Sequence, residues 1–291
     1  MPRPVTRVAA IHDLSGFGGG SLAAVIPILS AMRIQVCSLP TAVLSTHTGG
    51  FEGYRFVDLT EHMPGFIAHW KSLGLAFDCI YSGFLGSVRQ ICMVENFIDD
   101  FRRDDQIVVV DPVLGDDGRL YATMPAEMVV EMRRLVAKAD LITPNVTEAA
   151  LLLGHNPAVP PRPDRVRGWL EDLSALGPRR VVVTSVPVQG LSEGSAVLAY
   201  DRATGRMWRV SCTYVPTSYP GTGDIFASVL TGAILQGDSL PIALDRAVQF
   251  VALAIRTTFG HGTPAREGVF LERVLDSLNA PVTMSSYEIV S

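Results

Sequence analysis

IVVVDPVLGDDG, residues 107–118, runs through four apolar residues, then an aspartate, a proline and a glycine-flanked pair of acids. Four consecutive β-branched residues with no polar alternation read as a short strand buried on both faces. Pro112 stops it. The same grammar recurs along the chain in RVAAI (7–11), IQVCSL (34–39), FDCIYSG (77–83), DLITPN (140–145) and RRVVVTS (179–185). Helical patterns lie between these runs, among them SLAAVIPILSAM (21–32), VRQICMVENFIDDFRR (88–103) and PAEMVVEMRRLVAKA (125–139). A strand–helix alternation of this kind predicts a mostly parallel central sheet with helices on both faces. GSAVLAYDRATGRMWRVSCTYV (194–215) breaks the order with two strands around a polar turn, an expected antiparallel hairpin. The last third reads as helical over 225–236, 241–258 and 267–278. HNPAVPPRP (155–163) is too short to separate two domains, so residues 1–291 are expected to form one domain.

In open α/β sheets the ligand lies beyond the carboxyl ends of the strands. The segments expected there are HDLSGFGGGS, STHTGGFEG, SGFLGS, DPVLGDDG, TPNVTEA and VTS, rich in glycine, hydroxyls and acids. The polar, flexible residues of the chain are thus gathered on one edge of the sheet.

Composition narrows the classes. The chain of 291 residues is 48% hydrophobic and 18% charged, with a formal net charge of −5. A sizeable core is easily filled, and no basic footprint speaks for nucleic acid. Four widely spaced cysteines without C-x-x-C suggest neither zinc nor a disulfide framework, and fit reduced thiols in a cytoplasmic protein. No stretch is long enough to span a membrane, and the N-terminus meets His12 and Asp13 too early for a signal peptide. Only Lys71 and Lys138 among the 24 basic residues are lysines, and neither follows a P-loop or sits in V-A-I-K. P-loop NTPases and protein kinases are excluded on that ground.

SYPGTGDIFASVLTGAILQG (218–237) places Gly221, Thr222 and Gly223 before Asp224 and a small-residue helix. Asp224 could cap the helix. Alternatively the free amides hold an anion while Asp224 takes a proton beside it. Asp111, Asp116, Asn145 and Glu148, from two neighbouring strand ends, make a hard-oxygen set suited to Mg²⁺, largely through water. The competing reading of TPNVTEA is plain capping of the helix that follows. In HDLSGFGGGSLAA, Gly18, Gly20 and Ala23 fit a dinucleotide fingerprint, but the glycines start late and no acid follows the second strand. That loop is better suited to wrapping a small polar substrate, with Asp13 projecting into it. His47, among threonines and glycines, suits the lip of a pocket that closes.

These segments resemble the ribokinase-like kinases, and within them the vitamin B6 kinases of the pyridoxamine/phosphomethylpyrimidine kinase group. The resemblance rests on GTGD before a helix, TPNVTEA, DPVLGDDG, STHTGG and SGFLGS, in the same order over roughly residues 7–260. It implies a three-layer α/β sandwich and ATP-dependent phosphorylation of a hydroxymethyl group on a pyridine ring. The runners-up are hydroxymethylpyrimidine kinases, then sugar or nucleoside kinases of the same fold. Carried over, Asp224 is the base, and Gly221, Thr222 and Gly223 form the anion hole. Asp111, Asp116, Asn145 and Glu148 organise Mg²⁺-ATP, Thr184 and Ser185 touch the phosphates, and Asp13, Ser15, His47 and Phe84 line the substrate side. The Val215–Ser218 region and the Thr257–Gly262 loop are the expected adenine wall. A homodimer and a monovalent cation, K⁺ or Na⁺, are further implications of the resemblance. Phe84 stands where the family commonly has tyrosine, Thr46 where it has asparagine, and Pro220 where some relatives carry cysteine.

Overall fold

The computed structural model describes residues 4–162, 165–187, 195–212, 217–280 and 286–290. The strands are β1 (Arg7–Ser15), β2 (Gln35–Leu44), β3 (Phe56–Asp58), β4 (Cys79–Ser82), β5 (Ile107–Val110), β6 (Gly115–Asp116), β7 (Arg119–Leu120), β8 (Leu141–Ile142), β9 (Arg180–Pro187), β10 (Ser195–Asp201), β11 (Arg206–Ser211) and β12 (Tyr287–Val290). The helices are α1 (Leu22–Ala31), α2 (Met63–Ser72), α3 (Val88–Phe101), α4 (Glu127–Ala137), α5 (Val146–Leu153), α6 (Val166–Ala175), α7 (Thr222–Leu235) and α8 (Leu240–Phe259).

Ten strands form one sheet in the order β12-β11-β10-β9-β8-β5-β4-β1-β2-β3, and β6 pairs with β7 in a separate hairpin. The pairings from β9 through β8, β5, β4 and β1 to β2 are all parallel. These six strands are the six apolar runs read from the sequence. Antiparallel strands extend both margins, β3 on one side and β10, β11 and β12 on the other. Residues alternate faces along a strand. Val8 and Ala10 of β1 pack with α1, α7 and α8, whereas Ala9 and Ile11 pack with α3, α4, α5 and α6. This gives the three-layer arrangement expected.

One expectation fails near the C-terminus. Residues 267–278 are not a helix: short 3-10 turns at Ala265–Glu267, Leu271–Arg273 and Leu275–Asn279 replace it. Gly268, at φ 79°, breaks any continuous helix, and Val269, Leu271, Val274 and Leu278 are buried against the α1, α7 and α8 layer without helical pairing. Tyr287–Val290 then returns to the sheet beside β11, a strand that periodicity did not reveal.

Candidate active site

Asp224 resolves the ambiguity of the glycine turn. The N-cap of α7 is Gly221, at φ 84°, and no side chain caps the helix. Asp224 is the third residue of α7, and its Oδ2 accepts a hydrogen bond from the Ser21 amide at 2.9 Å, from a residue 203 positions away. The carboxylate is therefore held by the first loop, leaving the start of α7 without a side-chain cap. A glycine is required at 221, because a Cβ there would lie 3.0 Å from the Gly19 carbonyl and 3.1 Å from Gly20 Cα. The loop after β1 lies directly over the turn that begins α7.

Burial pushes the Asp224 carboxyl up to about 7, reinforced by the charges of Asp111 and Asp13 and opposed by the Ser21 amide. Asp111 is raised by burial and eased by the Thr143 hydroxyl, which donates to its Oδ1 at 2.9 Å. Glu148 is raised by burial and then by Asp111. Asp13 is raised by burial, with Ser15 donating to its Oδ2 at 3.2 Å. Buried carboxylates that raise one another's affinity for protons constitute a site of negative potential fitted to a cation.

The capping reading of TPNVTEA is realised. Asn145 and Glu148 form a reciprocal capping box at the start of α5, and Asn145 Nδ2 also donates to the Gly115 carbonyl at 2.9 Å. Asn145 thus has both ends of its amide engaged, and its Oδ1, which accepts one bond, keeps a lone pair. Glu148 accepts from the Asn145 amide at 2.9 Å and the Leu114 amide at 3.1 Å, one bond per oxygen, so lone pairs remain. Replacing Glu148 by glutamine should therefore act twice. One backbone N–H then faces an NH₂ group, which should cost about 1–3 kcal/mol in denaturant unfolding. The Mg²⁺ concentration for half-maximal turnover should also rise. A stability loss with unchanged metal dependence would leave Glu148 a purely structural residue.

Thr184 lies beside Asn145 in an isolated parallel bridge, its amide donating to Pro144, and Ser185 follows in the left-handed region at φ 59°. Asp117, at φ 49°, lines with it a cavity of about 450 Å³, together with Gly118, Arg119 and Thr147. Two strained non-glycine residues on one cavity are the pattern of a functional rim. Asp116 sits on the exposed β6–β7 hairpin. Among the described residues the one close trio of potential metal ligands is Cys92, Glu95 and Glu131, on α3 and α4, where Arg134 neutralises the acids. Among the described residues the acids at the strand ends form no such close trio.

Of the residues expected on the substrate side, Ser15 and Asp13 are buried and Phe84 is half-buried beyond β4. His47 differs from expectation. Its Nδ1 accepts from the Gly49 amide at 3.0 Å and its Nε2 meets the Arg266 carbonyl at 2.8 Å. No ring nitrogen is left to hydrogen-bond a substrate. The Ser21 amide, Thr143 and the Arg266–Gly268 turn were missed at the sequence level. Only the glycines at 18–20 hinted at the first of these. For the adenine wall, residues 213–216 lie outside the described residues, and 257–262 close α8.

A sandwich with its acid at an uncapped helix start, opposite carboxylates on neighbouring strand ends, defines the ribokinase-like small-molecule kinases. Residues 15–267 match the phosphomethylpyrimidine kinase family, and the chain belongs to it. It is 53% identical to a Bacteroides thetaiotaomicron protein described as a phosphomethylpyrimidine kinase and crystallised with pyridoxal, with a TM-score of 0.95 over 98% of this chain and 100% of that one. Pyridoxal kinase from Lactobacillus plantarum is 35% identical, with a TM-score of 0.86 over 94% and 96% of the two chains. A pyridoxine/pyridoxal/pyridoxamine kinase of Bordetella avium is 32% identical over 84% of this chain and 81% of its own.

Proposed function

We propose that this protein transfers the γ-phosphoryl group of ATP to the 5-hydroxymethyl group of a vitamin B6 vitamer, pyridoxal, pyridoxamine or pyridoxine, in cofactor salvage. The observation that carries this reading is Asp224, a half-buried carboxylate with its proton affinity raised toward 7, held by the Ser21 amide beside an uncapped helix start. A base must be deprotonated yet basic enough to take the alcohol proton, and a value near the working pH serves both needs. The amides of Gly221, Thr222 and Gly223 belong to the positive end of α7, where charge on the transferring phosphoryl oxygens would be stabilised. Asp111 and Glu148, with Asp116 nearby, would hold Mg²⁺ through water, and the ion supplies neutralisation of the phosphate charge. Thr184 and Ser185 would touch the phosphates. Asp13, Ser15 and Phe84 would frame the ring, Phe84 by stacking. The relative crystallised with pyridoxal supports the pyridine ring as substrate.

The whole chain would act as one kinase domain. No helix among the described residues is long and apolar enough to cross a membrane, and four free cysteines suit the cytoplasm. Exposed Leu14, Val43 and Val57 lie in register on one face at the β1–β2–β3 margin and would be covered in a homodimer.

The family match also favours the aminopyrimidine, and a competition decides between them. With purified protein, ATP and Mg²⁺, kcat/KM for at least one B6 vitamer should exceed that for hydroxymethylpyrimidine. The reverse order would move the substrate assignment to the pyrimidine while leaving the phosphotransfer reading intact. No ADP release with any vitamer, pyrimidine or sugar would sink both.

A further inference from the structure

Three segments remote in sequence meet over the site, and one side chain fastens them. The backbone amide of His47 donates to the Phe17 carbonyl at 3.3 Å, and Gly16 donates to Leu44 at 2.8 Å, tying the first loop to the end of β2. The Cδ2–Nε2 edge of the His47 ring abuts Gly18: a Cβ at that residue, φ 106°, would fall 2.1 Å from Cδ2 and 2.4 Å from Nε2. Beyond the ring, the Arg266–Gly268 turn closes in, and a Cβ on Gly268 would meet the Gly18 carbonyl at 2.3 Å. Phe51 stacks edge-on with both His47 and Phe17, and the Arg266 guanidinium sits 5.4 Å from its ring centre. The partners fix the tautomer. A backbone N–H can only donate and a carbonyl can only accept, so Nδ1 is the acceptor and Nε2 carries the proton.

The loop pinned in this way ends at Ser21, whose amide holds Asp224, and its Gly19 and Gly20 cover Gly221. We propose that His47 is a positioning residue that clasps the Gly16–Ser21 loop between the β2 end and the Arg266–Gly268 turn, and so sets the donor that aims Asp224. This rests on the phosphotransfer reading above for its catalytic consequence, though not for the clasp itself. A loop free to swing leaves Asp224 without its orienting amide, and a displacement of about 1 Å at a reacting group can cost roughly a hundredfold in rate.

Two measurements test it. Hydrogen exchange without any substrate should show faster exchange in peptides covering residues 16–21 in His47→Ala than in the wild type, at unchanged overall fold by circular dichroism. Steady-state kinetics with ATP, Mg²⁺ and the best vitamer should show kcat lowered roughly ten- to a hundredfold in His47→Ala, with the vitamer KM little changed. A glutamine amide reaches as far as Nε2 and can donate to the Arg266 carbonyl, whereas asparagine stops at the Nδ1 position. His47→Gln should therefore recover most of the loss and His47→Asn should not. Unchanged exchange at 16–21, or a loss confined to KM, overturns the proposal. A wild type with no turnover refutes the function assigned above, and the exchange comparison still decides the clasp.

Discussion

Asp224→Asn is expected to keep the fold and ATP binding while lowering kcat by ~10²–10⁴, the range for loss of a general base. The asparagine carbonyl can still accept from the Ser21 amide, and the helix loses no cap because Gly221 occupies that position. The change therefore isolates proton transfer from structure. Stability should move the other way. The native carboxyl takes up its proton at about 7, against an ordinary value of 3.8, so the folded state binds more protons than the unfolded chain between those limits. The slope of stability with pH is then negative, and the contribution is fully present below 3.8 and lost as pH rises through about 7. The variant escapes this loss, so its melting temperature should exceed that of the wild type above pH 7 and converge with it toward pH 4. Near-normal turnover would remove Asp224 as base. A less stable variant at pH 8 would mean the carboxylate is held for structure.

Withdrawal of divalent metal is expected to abolish turnover, with full recovery when Mg²⁺ is restored in excess over EDTA. Asp111, Glu148 and Asp224 are each raised by burial, and Asp111 also acts on both of the others; no basic side chain is among the groups that shift them. A dication bound with ATP would supply the missing positive charge and lower all three. Metal-nucleotide binding should therefore release protons, measurable by calorimetry in two buffers of different ionisation enthalpy. The acidic limb of kcat should fall at lower pH than that of kcat/KM, since the first reports the loaded enzyme and the second the free one. Turnover that persists in EDTA would show that the acids serve only the fold.

Much of this was written locally. The parallel strands were legible because each is a short apolar run buried on both faces, and the sheet rule then placed the glycines, hydroxyls and acids together at one edge. The turn at 221–223 was legible because glycines free the backbone there. Residues 267–278 misled because apolar spacing records burial and not backbone conformation, and burial against α1, α7 and α8 is satisfied by 3-10 turns as well as by a helix.

The sequence by itself determined the layered sheet, the edge where ligands gather, and a carboxylate at a glycine-rich helix start. The job of each polar group on that edge was decided only by the tertiary structure. Asp224 could have capped its own helix, and a partner 203 residues away made it a held, half-buried acid instead. Asn145 could have done no more than cap its own helix, and packing gave its Nδ2 the Gly115 carbonyl, 30 residues away, as well. His47 could have reached for substrate, and a carbonyl 219 residues away occupied it. The physical reason is common to all three. Backbone conformation follows from nearby residues, whereas a hydrogen bond belongs to whichever partner packing brings within about 3 Å.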